Sequence, residues 1–145
     1  MSVTRKYTTM PKLLISYCVT ALVFWTLDFI WLGFIVKDFY QREIGSLLLA
    51  APRKDAAIGF YLLYVIGIAV FAVHPALDAD RWQKALGCGC LLGLIAYATY
   101  DLSNLATLKN WSAPLALVDI AWGTIATGAA ATAGFWLTKL ISRRA

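Results

Sequence analysis

The sequence predicts an all-α membrane protein, with four transmembrane helices in a compact antiparallel bundle and an interfacial helix in the first loop. Three observations carry this expectation. Of 145 residues, 61% are hydrophobic and only 14% charged, and the mean hydropathy of +0.69 lies well above that of soluble domains. The apolar residues gather into four blocks, at 13–36, 57–77, 84–108 and 114–137. Each block is close to the roughly 20 residues that an α-helix needs to cross about 30 Å of hydrocarbon at about 1.5 Å per residue. A soluble globule is excluded, and residues 1–145 read as a single four-helix transmembrane domain.

The first block follows a basic tail carrying Arg5, Lys6 and Lys12. A signal peptide shares that pattern, but this block is too long, contains Asp28, Trp25 and Trp31, and lacks a small-residue cleavage site. The loop at 37–56 mixes Phe39, Tyr40, Ile44 and Leu47-Leu48-Leu49 with Arg42, Glu43, Arg53 and Lys54, which suits a helix lying in the membrane interface. The second block ends near His74, the one histidine of the chain; a haem held by two histidines within one chain is thereby excluded. The third block carries Gly89 and Gly93, and the fourth Ala126, Ala130 and Gly134; each set puts small residues on one face and lets helices approach closely. The five-residue link at 109–113 forces these two helices to run antiparallel, with Ser112 placed to cap the fourth and Pro114 at its first turn. Cys18, Cys88 and Cys90 sit inside apolar blocks, and Cys-Gly-Cys lacks the two-residue spacer of redox and zinc motifs, so reduced structural thiols are expected.

The net charge of +5 comes from Lys and Arg at the ends of the blocks, which points to anionic lipid headgroups and away from nucleic acid. The tail, second loop and C-terminus hold eight basic residues (Arg5, Lys6, Lys12, Arg81, Lys84, Lys139, Arg143, Arg144), against five on the other side (Lys37, Arg42, Arg53, Lys54, Lys109). Both termini are therefore expected in the cytoplasm.

Three carboxylates interrupt the apolar blocks. Asp28, Asp101 and Asp119 each cost about 2.5 to 3.5 kcal/mol at a helix centre on insertion scales, and acids within a membrane tend to mark functional sites. Counted from the block ends, all three lie roughly 8 to 14 Å below the same membrane face. Tyr97, Tyr100, Asp101 and Asn104 fall at i, i+3, i+4 and i+7 on one helical face. Trp25, Asp28 and Trp31 share another face, and Asp119 and Trp122 a third, while Tyr61 and Tyr64 reach the same depth with hydroxyls able to bond a carboxylate. The inference is a polar pocket opening toward the first loop, where Arg42, Arg53 and Lys54 would cover it. The alternative is that the aspartates are structural and fix which helix meets which.

Leu27-Asp28-Phe29-Ile30-Trp31-Leu32-Gly33, Phe39-Tyr40, Tyr97-Ala98-Thr99-Tyr100-Asp101-Leu102-Ser103-Asn104-Leu105-Ala106-Thr107-Leu108 and Val118-Asp119-Ile120-Ala121-Trp122-Gly123 occur in that order along nearly the whole chain. In these segments the sequence resembles a bacterial membrane-protein family, domain of unknown function 2177. The resemblance implies a four-helix protein of the bacterial inner membrane and brings no activity with it.

Three function classes stay open. The first is a pocket that binds or acts on a lipid or small amphipathic molecule, with Asp101 the foremost catalytic candidate beside Asp28 and Asp119, and Tyr100 and Asn104 orienting the substrate. The second is transport of a proton, cation or small solute, and the third an assembly role in a membrane complex, with homo-oligomers open in each. No P-loop, dinucleotide fingerprint, nucleophile elbow or zinc motif is present, no metal site is expected, and the cofactor is unknown.

Overall fold

A computed structural model describes residues 10–143, so Arg5, Lys6 and Arg144 of the charge comparison lie outside the described residues. The described residues are all-helical. Four helices are long and apolar enough to cross a membrane: α1 (Met10–Ile35), α3 (Lys54–Ala79), α4 (Trp82–Thr107) and α5 (Ala113–Ser142). A short helix, α2 (Lys37–Ile44), lies between the first two. Helices satisfy their own backbone donors and acceptors, which lipid cannot do for them.

Two of the long helices widen locally. The last turn of α1, Trp31–Ile35, is π-helical and closes with the Val36 N–H donating to the Trp31 carbonyl at 3.0 Å. A second π-turn, Ala69–Val73, ends two residues before Pro75 of α3 and includes Phe71, four residues back from the proline. Proline has no N–H and its ring crowds the carbonyl four residues back, and an enlarged turn relieves both effects. α3 ends in a Schellman arrangement: Arg81 N–H donates to the Ala76 carbonyl and Asp80 N–H to Leu77, with Asp80 left-handed at φ 53°. Asn110, at φ 63°, makes the corresponding turn between α4 and α5. Ser112 caps α5 by accepting the Leu115 N–H at 3.2 Å, and Pro114 occupies the first turn.

The central helix is α5, half of whose apolar window is buried (50%) against 22–28% for the other three. It packs most extensively on α4 and next on α1. The α4 contact is backbone against backbone. A Cβ placed on Gly93 would lie 2.1 Å from the Gly123 carbonyl oxygen, and one on Gly89 would lie 2.8 Å from the Ala131 Cβ. Ala126 and Ala130 turn instead into the apolar core with Phe24, Val65, Ile68 and Phe135, while Gly134 lets Thr20 of α1 approach. α5 thus has two small-residue faces, one for each neighbour.

The first half of α3, Lys54–Ile68, packs on α1 and hardly touches α4; from the π-turn onward α3 packs on α4. The two helices therefore diverge toward the first loop. Outward faces carry large apolar side chains such as Leu63 and Leu117, each 71% exposed, a surface suited to lipid rather than water.

Candidate functional site

The divergence of α3 from α4 leaves a cavity of about 380 Å³ near the first-loop end of the molecule. α1 contributes Asp28, Trp31 and Leu32, α3 Ala57, Phe60, Tyr61 and Tyr64, α4 Ala96, Tyr97 and Tyr100, and α5 Asp119 and Trp122, while Tyr40 reaches in from α2. Eight of these thirteen residues are aromatic and none is basic.

Asp28 is buried on α1 and fully engaged. One carboxylate oxygen accepts the Trp122 indole N–H at 3.0 Å, and the other accepts the Tyr61 hydroxyl. Trp122 is held in turn by Trp31, whose ring lies parallel to it at 4.2 Å with 3° between the planes. Three helices are thereby tied through one carboxylate, because Asp28 stands on α1, Tyr61 on α3 and Trp122 on α5. Tyr64 exchanges a hydrogen bond with Thr127 of α5 at 2.9 Å and meets Tyr97 edge-on at 6.2 Å. Tyr97 fits because Gly123 faces it: a Cβ there would fall 2.1 Å from the ring.

Asp119 accepts the hydroxyl of Tyr40. That contact, together with the Ser112 hydroxyl donating to Glu43, fastens α2 across the start of α5. Burial, reinforced by the bond to Asp119, holds the Tyr40 hydroxyl above its ordinary pKa, so it remains a donor at physiological pH. The inward face of α2 is Val36, Tyr40, Glu43 and Ile44, at i, i+4, i+7 and i+8, with Lys37, Asp38, Gln41 and Arg42 exposed.

Asp101 is fully buried, yet neither carboxylate oxygen has a partner of hydrogen-bonding geometry. The Trp111 indole, itself without a well-formed bond, is the donor beside it, and Asp119 lies within electrostatic reach. Tyr100 packs edge-on against Trp111 at 5.7 Å.

Of the residues singled out in the sequence, Asp28, Trp31, Tyr61, Tyr64, Tyr97, Tyr100, Asp119 and Trp122 share the cavity wall, whereas Trp25, Asp101 and Asn104 do not. Trp25 is 40% exposed and belongs to an outer groove with Leu22 and Phe29, because positions 22, 25 and 29 share the lipid side of α1. Asp101 lies buried beside Trp111, and Asn104, one turn further along α4, is half-buried. Arg42, Arg53 and Lys54 are exposed and off the cavity wall, and Arg53 pairs with Asp55 at 2.8 Å. Tyr40 occupies the place expected of them. The spacing of the apolar positions in α2 was the signal that could have found it. Ser16 and His74 form another unexpected pair, bonded at 2.8 Å between α1 and α3.

A family model described as predicted membrane protein, domain of unknown function 2177, matches residues 13–136. No curated protein and no solved structure matches the chain.

Proposed function

Because the chain belongs to the membrane-protein family called domain of unknown function 2177, whose description names no activity, we infer its function from its own site. We propose that the cavity is an intramembrane pocket that binds or acts on a lipid or other small amphipathic molecule entering sideways from the bilayer. One observation carries the proposal: a cavity with a mostly aromatic wall and two oriented carboxylates has the mix of apolar lining and few placed polar groups that small-molecule sites have. The surrounding architecture in this reading is a single-domain, compact antiparallel bundle in the bacterial inner membrane, with α2 in the interface and both termini cytoplasmic. Asp101, one step behind the wall, is then the reserve acid or base and Asn104 its neighbour on α4. Mass spectrometry of small molecules retained in mild detergent tests the proposal. A species held by the wild-type protein and missing from a folded variant with Asn at 28, 101 and 119 supports it; identical contents in both count against it.

One observation favours transport as a second reading. Four hydroxyls are buried outside the cavity, at Ser16, Thr20, Thr127 and Thr138; Thr127 is bonded to Tyr64 of the cavity wall and Ser16 to His74, while Thr20 and Thr138 have no hydrogen-bond partner among the described residues. Proton or cation flux into proteoliposomes, lost in Thr127→Val, would support this reading over simple binding.

A further inference from the structure

The hydrogen bonds around Asp28 all come from neutral donors. An indole N–H can only donate, so the Oδ1 atom facing Trp122 is an acceptor, and the Tyr61 hydroxyl donates to the other oxygen. Asp119 likewise accepts from Tyr40. Asp28 thus accepts at both oxygens and Asp119 at one, and neither has a cationic partner among the described residues. Ion pairs such as Arg53 with Asp55 and Lys139 with Asp80 belong to the ends of the helices, and no described basic residue lines the cavity. Buried carboxyls held only by neutral donors favour the arrival of a positive charge, which stabilises their ionised form.

The rest of the wall narrows the kind of cation. Trp31, Trp122, Tyr64, Tyr97 and Tyr100 present ring faces or edges to the same space, and aromatic faces attract ammonium groups. No three His, Cys, Asp or Glu side chains converge as metal ligands among the described residues, which suits a diffuse organic cation better than a bare metal ion. A phosphate head would meet carboxylates of its own sign. The cavity borders lipid where α3 and α4 diverge, with Phe60 (48% exposed) on one side and Tyr100 (56% exposed) on the other.

Building on the pocket reading above, we propose that the bound molecule carries an ammonium head, seated between Asp28 and Asp119 among these rings, and an apolar tail that leaves between α3 and α4 into the bilayer.

The test is saturable binding of tritiated dodecyltrimethylammonium to the immobilised protein in maltoside micelles, with unlabelled tetramethylammonium, dodecyl phosphate and dodecanol as competitors. The proposal expects saturable binding that the unlabelled probe displaces and dodecyl phosphate does not, weakened at least about tenfold in Asp28→Asn and Asp119→Asn. Ala57→Trp, at an exposed point of the cavity wall on α3, is expected to weaken the dodecyl probe more than tetramethylammonium. If dodecyl phosphate or dodecanol competes as well as the ammonium probe and the Asn variants bind normally, the ammonium assignment fails while the amphiphile pocket stands. Tetramethylammonium binding as tightly as the long-chain probe overturns the tail and the amphiphile reading together. If none of the probes binds saturably, both proposals fall.

Discussion

Gly93 offers the sharpest test of how the helices that carry the site are held together. In Gly93→Ala the new Cβ would stand 2.1 Å from the Gly123 carbonyl oxygen and 2.8 Å from both the Gly123 carbonyl carbon and the Thr127 Oγ1. Carbon and oxygen in close backbone contact sit at about 3.3 Å or more, so α4 and α5 must part by roughly 1 Å. Neither obstacle at Gly123 is the end of a flexible side chain that could swing away. A gap of that size forfeits about a quarter to a half of each dispersion contact it opens, and such contacts are what hold helices together in lipid. The α4–α5 contact is the most extensive in the molecule, so the expected loss is about 2 to 3 kcal/mol, the upper part of the range for overpacked sites. Equilibrium unfolding in maltoside micelles titrated with a denaturing detergent measures it. Gly59→Ala and Gly87→Ala are the controls, since a Cβ at either position meets nothing within 4 Å, and both should be neutral or gain up to about 1 kcal/mol from better helix propensity. Gly93→Ala unfolding within about 0.5 kcal/mol of these controls would refute the close-packed interface.

Three further outcomes concern side-chain contacts at and around the site. Tyr40→Phe removes the hydroxyl bonded to Asp119 and is expected to cost about 1.5 to 3 kcal/mol and to raise hydrogen exchange across α2. A phenol whose pKa is raised on folding contributes stability below its unfolded value near 10 and loses it as the pH climbs through the folded value, so the alkaline fall in stability above about pH 10 should be shallower in Tyr40→Phe. Ser112→Ala deletes both the cap on Leu115 and the bond to Glu43 and should cost about 1 to 3 kcal/mol by thermal melting, whereas Glu43→Gln, which leaves the cap, should cost less. The parallel stack of Trp31 on Trp122 should give an exciton couplet in circular dichroism that vanishes in either Trp→Phe variant; a couplet surviving in both would mean the stack is not formed.

Much of the fold was legible because its signals are local. A run of about 20 apolar residues is a property of one segment, and the Ser112 and Pro114 start of α5 is set within four residues. The carboxylates and tyrosines of the site stood out for the same reason, since polar groups in an apolar block need partners wherever they fall. Relations between segments were less visible. Periodicity marked Ala126, Ala130 and Gly134 as one small-residue face, but whether that face meets α4 or the core depends on how α5 is rotated against its neighbours, and Gly123, Gly128 and Ala131 take the α4 side. Charge drew attention to Arg42, Arg53 and Lys54 in the first loop, whereas α2 turns its apolar stripe inward and brings Tyr40 to Asp119. That Asp101 lies beside Trp111 rather than in the cavity wall depends on the path of the 108–112 turn, which no helical spacing encodes.

Occupancy of the cavity between α1, α3, α4 and α5 by an amphipathic molecule is the point on which the proposed function stands or falls. A diazirine-bearing alkylammonium, photolysed with the protein in liposomes and mapped by peptide mass spectrometry, addresses this residue by residue. Such occupancy gives adducts concentrated on Tyr64, Tyr97, Tyr100 and Trp122 and suppressed in a folded Asp28→Asn, Asp119→Asn double variant. Adducts confined to outward residues such as Leu63 and Leu117, unchanged in the variant, would contradict it.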